Sequence, residues 1–104
     1  PVITAGSVGI GLSDAPKAVY ALATRNNGRW HTEHRYVDYD LEHTLKRFEE
    51  TRYLEYTGVI GKLYRLELMT GKNTIVAFIE RYRDRLDSGL ISWDWAWDDF
   101  QRYC

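Results

Sequence analysis

The most regular pattern in the chain is a pair of runs, Lys17 to Arg25 and Arg29 to Tyr39, on either side of Asn26-Asn27-Gly28. Asn-Gly is the preferred pair for a type I′ turn, so the spacing predicts a β-hairpin over residues 17–39. With Asn27-Gly28 as the two-residue loop, Arg25 pairs with Trp30, Ala23 with Thr32, Ala21 with His34 and Val19 with Tyr36. These residues share one face, because side chains alternate along a strand. Ala18, Tyr20, Leu22, Thr24, His31, Glu33, Arg35 and Val37 share the other. The first face is the less charged and is expected to face the core, the second solvent or a partner.

Beyond the hairpin the period changes. Asp40 suits the N-cap of a helix over 41–56, with Leu41, Leu45, Phe48 and Arg52 along one stripe. Gly58 and Gly61 interrupt that pattern. From Lys62 to Met69 the alternation of Tyr64, Leu66 and Leu68 against Arg65 and Glu67 predicts a half-buried strand. Ile75, Phe78, Ile79, Tyr82 and Leu86 then form one helical stripe over 74–88, and Gly89 suits the position after its end.

The tail reads two ways. Ile91, Trp93, Trp95 and Trp97 alternate as in a strand, whereas Ser92 as N-cap with Trp93, Trp97 and Phe100 at helical spacing gives a helix. Asp94 near the start favours a short helix, because an acid there complements the helix dipole. Residues 2–5 are β-prone, a glycine-rich stretch follows over 6–11, and Ser13-Asp14-Ala15-Pro16 reads as a turn. The elements assemble into one α+β domain over 1–104. Its small antiparallel or mixed sheet holds the N-terminal strand, the hairpin 17–39 and strand 62–69, beside two main helices and a short C-terminal one.

Length and composition narrow the function classes. A chain of 104 residues forms one core. No apolar run approaches the roughly 18 residues that cross a bilayer, and the first residues lack a secretory leader's charge and long apolar stretch. Cys104 is the only cysteine, which with the missing leader predicts a cytoplasmic protein. Fourteen basic residues stand against fifteen acidic ones, a net charge of −1 without the basic excess of a dedicated nucleic-acid binder. Fifteen aromatic rings are more than so small a core buries easily, and exposed Trp and Tyr are favoured at protein interfaces.

The candidate chemistry is thin. His31 and His34 point to opposite faces of a strand and His43 lies on the next element, so no metal site and no cofactor is expected. His31 and Glu33 share a face and form the only candidate acid–base pair, with Arg35 to hold an anion. The glycines at 6, 9 and 11 do not have dinucleotide-loop spacing. Gly58-Val59-Ile60-Gly61-Lys62 is like part of a phosphate loop but lacks the hydroxyl residue after Lys. An amine at Pro1 could act as a base, though nothing else in the chain supports that.

Two binding surfaces remain. Arg25, Arg29 and Arg35 with Trp30 could form an aromatic–basic platform for nucleic acid, extended by Lys46, Arg47, Arg52, Lys62 and Arg65 with Tyr36, Tyr39, Tyr53 and Tyr64. The tail concentrates Trp93, Trp95 and Trp97 with Asp94, Asp98 and Asp99, which suits an aromatic anchor with an acidic rim for a basic protein partner or for self-association. The expected function is therefore a non-enzymatic interaction domain that masks a partner's surface. Size and style resemble a phage or mobile-element inhibitor of host defence, of the anti-CRISPR or anti-restriction kind. A nucleic-acid module and a small His–Glu enzyme are the alternatives.

Overall fold

A computed structural model describes residues 2–10 and 14–104. Pro1 lies outside the described residues, as do the end of the glycine-rich stretch and the start of the predicted turn, Gly11 to Ser13.

The hairpin forms with the predicted register. Strand β1 (Ala18–Asn26) pairs antiparallel with β2 (Arg29–Val37), Arg25 opposite Trp30 and Val19 opposite Tyr36. Asn27 and Gly28 take φ of 50° and 77°, the left-handed pair that a type I′ turn needs and that Asn-Gly tolerates. Asp40 then caps α1 (Leu41–Glu50), its carboxylate accepting from the His43 amide at 3.0 Å. α2 (Tyr53–Thr70), α3 (Thr74–Asp87) and α4 (Trp93–Phe100) follow, and a 3-10 turn over Gln101–Tyr103 ends the elements. The fold is α+β, an antiparallel hairpin followed by four helices.

Several sequence expectations are corrected. Residues 62–69 are helical, not a strand: they complete α2, which buries Val59, Leu63 and Glu67 at steps of four. Leu, Lys, Arg, Glu and Met are all strong helix formers, and a short alternating run does not separate the two periods. The helix expected over 41–56 is two helices, broken where Arg52 turns left-handed at φ 56°. Residues 2–5 form no strand; the backbone beside β1 makes one bond, Val19 N–H to Ser7 O at 2.9 Å. Gly58 interrupts α2 with φ 58° and ψ −135°, while Gly61 stays within it, so residues 59–62 of the would-be phosphate loop are helical.

The core is helical. Val59 and Leu63 of α2, Phe78 and Tyr82 of α3, and Ala96 and Phe100 of α4 form one buried cluster, with Phe78 and Phe100 edge to face at 5.4 Å. A buried carboxylate ties α2 to α3: Glu67 accepts from the Ile75 amide at 2.8 Å, in the first turn of α3, where the N–H has no carbonyl of its own helix to reach. Thr74 adds a buried bond from its hydroxyl to the Leu63 carbonyl at 3.0 Å.

The hairpin takes no part in this core. Among the described residues no helix packs against either strand. Of the face expected to be buried, only Val19 is, at 6% exposure; Trp30 and Tyr36 are 64% and 57% exposed. A lower charge did not bury that face, because the helices find enough apolar partners among themselves. The hairpin is anchored at its root instead. Asp14 N–H donates to Gly71 O at 3.1 Å, and Lys17 pairs with Asp38 at 3.3 Å. The molecule measures 59 × 33 × 22 Å, and its radius of gyration is 17.5 Å where a compact chain of this length has about 13 Å.

Candidate functional site

The projecting hairpin presents two unlike faces. On one, Ala21, Ala23 and Thr32 make a shelf of small side chains between Tyr36 near the root and Trp30 near the tip. Arg25 is the only Lys, Arg, Asp or Glu on this face. Near the root, His34 Nε2–H donates to the Thr4 carbonyl at 2.6 Å, so the chain before the hairpin leans on this face. A shallow hollow of about 490 Å³ lies there, lined by Thr4, Ser7, Val19, His34 and Tyr36.

The opposite face carries Tyr20, Leu22 and Val37 with Arg29, His31, Glu33 and Arg35, and the three apolar side chains are all exposed. Glu33 pairs with Arg35 at 3.2 Å, and this bond holds the guanidinium even further above its ordinary pKa. His31 and Glu33 do share the face, on an open strand surface with Glu33 already engaged. Arg25 and Arg29 lie near the tip, Arg25 beside Trp30 in the register. The two strands hold three arginines against one glutamate, a charge of +2, which leaves −3 for the rest of the chain.

The Trp-rich tail is divided between core and surface. Ser92 caps α4, its hydroxyl accepting from the Trp95 amide at 3.1 Å. Helical spacing then sends Ala96 and Phe100 inward. Trp93 is 44% exposed and stacks on Phe78 at 5.8 Å, and Trp97 is half-buried with the Lys62 ammonium 5.8 Å from its ring. Asp99 points in and accepts from the Tyr82 hydroxyl at 2.7 Å. Burial first, and that bond second, push the Tyr82 hydroxyl up to about 12. Asp94, Trp95 and Asp98 remain on the outer face, Trp95 47% exposed beside Arg85. Of the six predicted residues, Trp93, Asp94, Trp95 and Asp98 are thus exposed, while Trp97 is half-buried and Asp99 is turned to Tyr82.

An open cleft of about 560 Å³ lies where the end of α2, α3 and the chain end meet, lined in part by Leu66, Lys72, Arg81, Tyr103 and Cys104. Arg81 lies over the Tyr103 ring at 3.5 Å and closes one side. Partial desolvation raises the exposed Cys104 thiol, with Lys72 opposing. Among the described residues no three His, Cys, Asp or Glu side chains gather to hold a metal ion. No described helix is long and apolar enough to cross a membrane.

No family model matches the chain, and no curated protein or solved structure matches it either.

The sequence pointed to the residues of both surfaces but expected the face with Trp30 and Tyr36 to be buried, and it is exposed. A long two-stranded ribbon carrying Trp, Tyr, Leu and Val has no second layer in a chain whose helices are self-sufficient.

Proposed function

We propose that this chain is a protein-interaction domain that works by contact, with the projecting hairpin as its principal contact surface. One observation carries the reading: both faces of a nine-residue ribbon stand clear of the core with Tyr20, Leu22, Trp30, Tyr36 and Val37 exposed. An isolated two-stranded ribbon is marginally stable in water, so so much exposed apolar surface is best explained by a partner that covers it. The shelf between Trp30 and Tyr36 suits an apolar protein surface, since interface centres are depleted in charge and enriched in aromatic side chains. The outer face of α4, with Trp95 between Asp94 and Asp98, is a smaller second surface suited to a basic patch. Size and aromatic style alone support the narrower idea of an inhibitor of host defence, and the proposal stops at contact.

The test is site-specific photo-crosslinking in the cells that make the protein. A photoreactive residue at position 30 should yield a discrete protein adduct, and one at Glu80 on α3 should not. Adducts at both positions, or at neither, would contradict the reading.

The charge distribution favours a second reading. The strands carry +2 within a chain of net charge −1, and Trp30 sits opposite Arg25 at the tip, where a base could stack. Binding of single-stranded nucleic acid there should weaken steeply as salt rises. With Arg35 already paired to Glu33, two free arginines are few for this role. A flat salt response, or no binding, removes it.

A further inference from the structure

The outer edge of β2 has chemistry of its own, distinct from the two faces. Val19 N–H points away from β2 to reach Ser7 O, so Val19 and its partner Tyr36 form a non-hydrogen-bonded pair of the ladder. By alternation Trp30, Thr32, His34 and Tyr36 direct their N–H and C=O groups outward from β2. Among the described residues no other backbone group bonds to them, and every residue of the strand is exposed. Natural edge strands are usually blunted by Pro, Lys, bulges or shortness. β2 is nine residues long, pairs in unbroken register and contains neither Pro nor Lys. Such an edge is a template for another strand.

We infer that two copies of this chain pair β2 to β2, antiparallel across a two-fold axis at His34, to make a four-stranded sheet. The charges choose both the partner and the register. Joining outward groups to outward groups allows three registers that use most of the strand. Centring on Glu33 sets that carboxylate against its own copy, and centring on Thr32 sets Arg29 against Arg35. Centring on His34 sets Glu33 against Arg35 of the second copy twice over and opposes no like charges. Cross-strand pairs of opposite charge stabilise a sheet and like pairs destabilise it. The surface area allows for such contacts. The described residues expose 7699 Å², whereas a compact 12.2 kDa monomer exposes about 6,100 Å², an excess of about 1,600 Å² against the roughly 800 Å² that each partner of a standard interface buries. Edge pairing leaves both faces of the ribbon open, so this inference stands or falls separately from the proposal above.

Sedimentation equilibrium of the purified chain, with Cys104→Ser to exclude adventitious disulfides, tests it. The parent should show a monomer–dimer equilibrium. Glu33→Arg should raise the dissociation constant about tenfold, and adding Arg35→Glu should restore it, because the swap rebuilds every ion pair with reversed sign. Thr32→Pro removes only an outward N–H, so the hairpin should persist by circular dichroism while the dimer is lost. His34→Cys should oxidise to a covalent dimer, since directly opposed residues of a hydrogen-bonded pair lie about 5.5 Å apart at Cα, within disulfide reach. A parent that stays monomeric at millimolar concentration overturns the inference. So does a dimer indifferent to Glu33→Arg, or one that Arg35→Glu fails to rescue.

Discussion

Tyr82 shows how the helical body is held at a single residue. Its ring is fully buried between Phe78 and Phe100, while its hydroxyl reaches Asp99 of α4 at 2.7 Å. A buried tyrosine with a partnered hydroxyl joins packing to a directional bond, which fixes α4 on α3. Tyr82→Phe keeps the ring and leaves the Asp99 carboxylate only Arg102, at 3.9 Å, so a loss of about 1–2 kcal/mol is expected in urea unfolding. The pH dependence has a definite sign. Folding raises the hydroxyl to about 12, so the folded state favours the protonated form. Its contribution is complete below the unfolded value of about 10 and is lost as the pH rises through 12. The stability difference between the parent and Tyr82→Phe should therefore hold to about pH 10 and shrink above it. A difference that grows with alkalinity would contradict the assignment. From sequence Tyr82 was legible as a core position, but its link to Asp99 was not, because seventeen residues and a turn separate the two. The same holds for Glu67. It reads as the polar side of a strand until the helix places it beneath the first turn of α3.

Elements were legible where a local signal is sufficient. Asn27-Gly28 sets the register of the hairpin, and Asp40 and Ser92 mark helix starts with side chains that do cap them. Residues 62–69 misled because their alternation and their helical spacing coincide over so short a run. The buried face of the hairpin misled for a different reason: no local pattern records whether a second layer exists to cover it. What joins the hairpin to the helices is one close passage. Gly71 ends α2 at φ 70°, and a Cβ there would run into the backbone of Ala15. Gly71→Ala should thus cost at least about 2 kcal/mol through strain and collision together. By calorimetry the melting temperature should fall. Gly89→Ala, also left-handed at φ 74° but in open space, should cost less. Equal losses at the two sites would show that the Ala15 contact contributes nothing.

At the scale of the whole molecule, a small helical core carries a basic, aromatic hairpin away from an acidic body. The candidate acid–base pair, His31 and Glu33, lies on an open strand face, with Glu33 engaged by Arg35. The hairpin is the proposed principal contact surface, and its covering in the cell is the central claim. Hydroxyl-radical footprinting measures that covering directly, because exposed Trp and Tyr rings are readily oxidised. Trp30 and Tyr36 should be labelled several-fold more slowly in the cells that make the protein than in dilute purified solution, while Tyr56, 81% exposed on the body, should be labelled alike in both. Equal labelling of Trp30 and Tyr36 in the two settings would contradict the account.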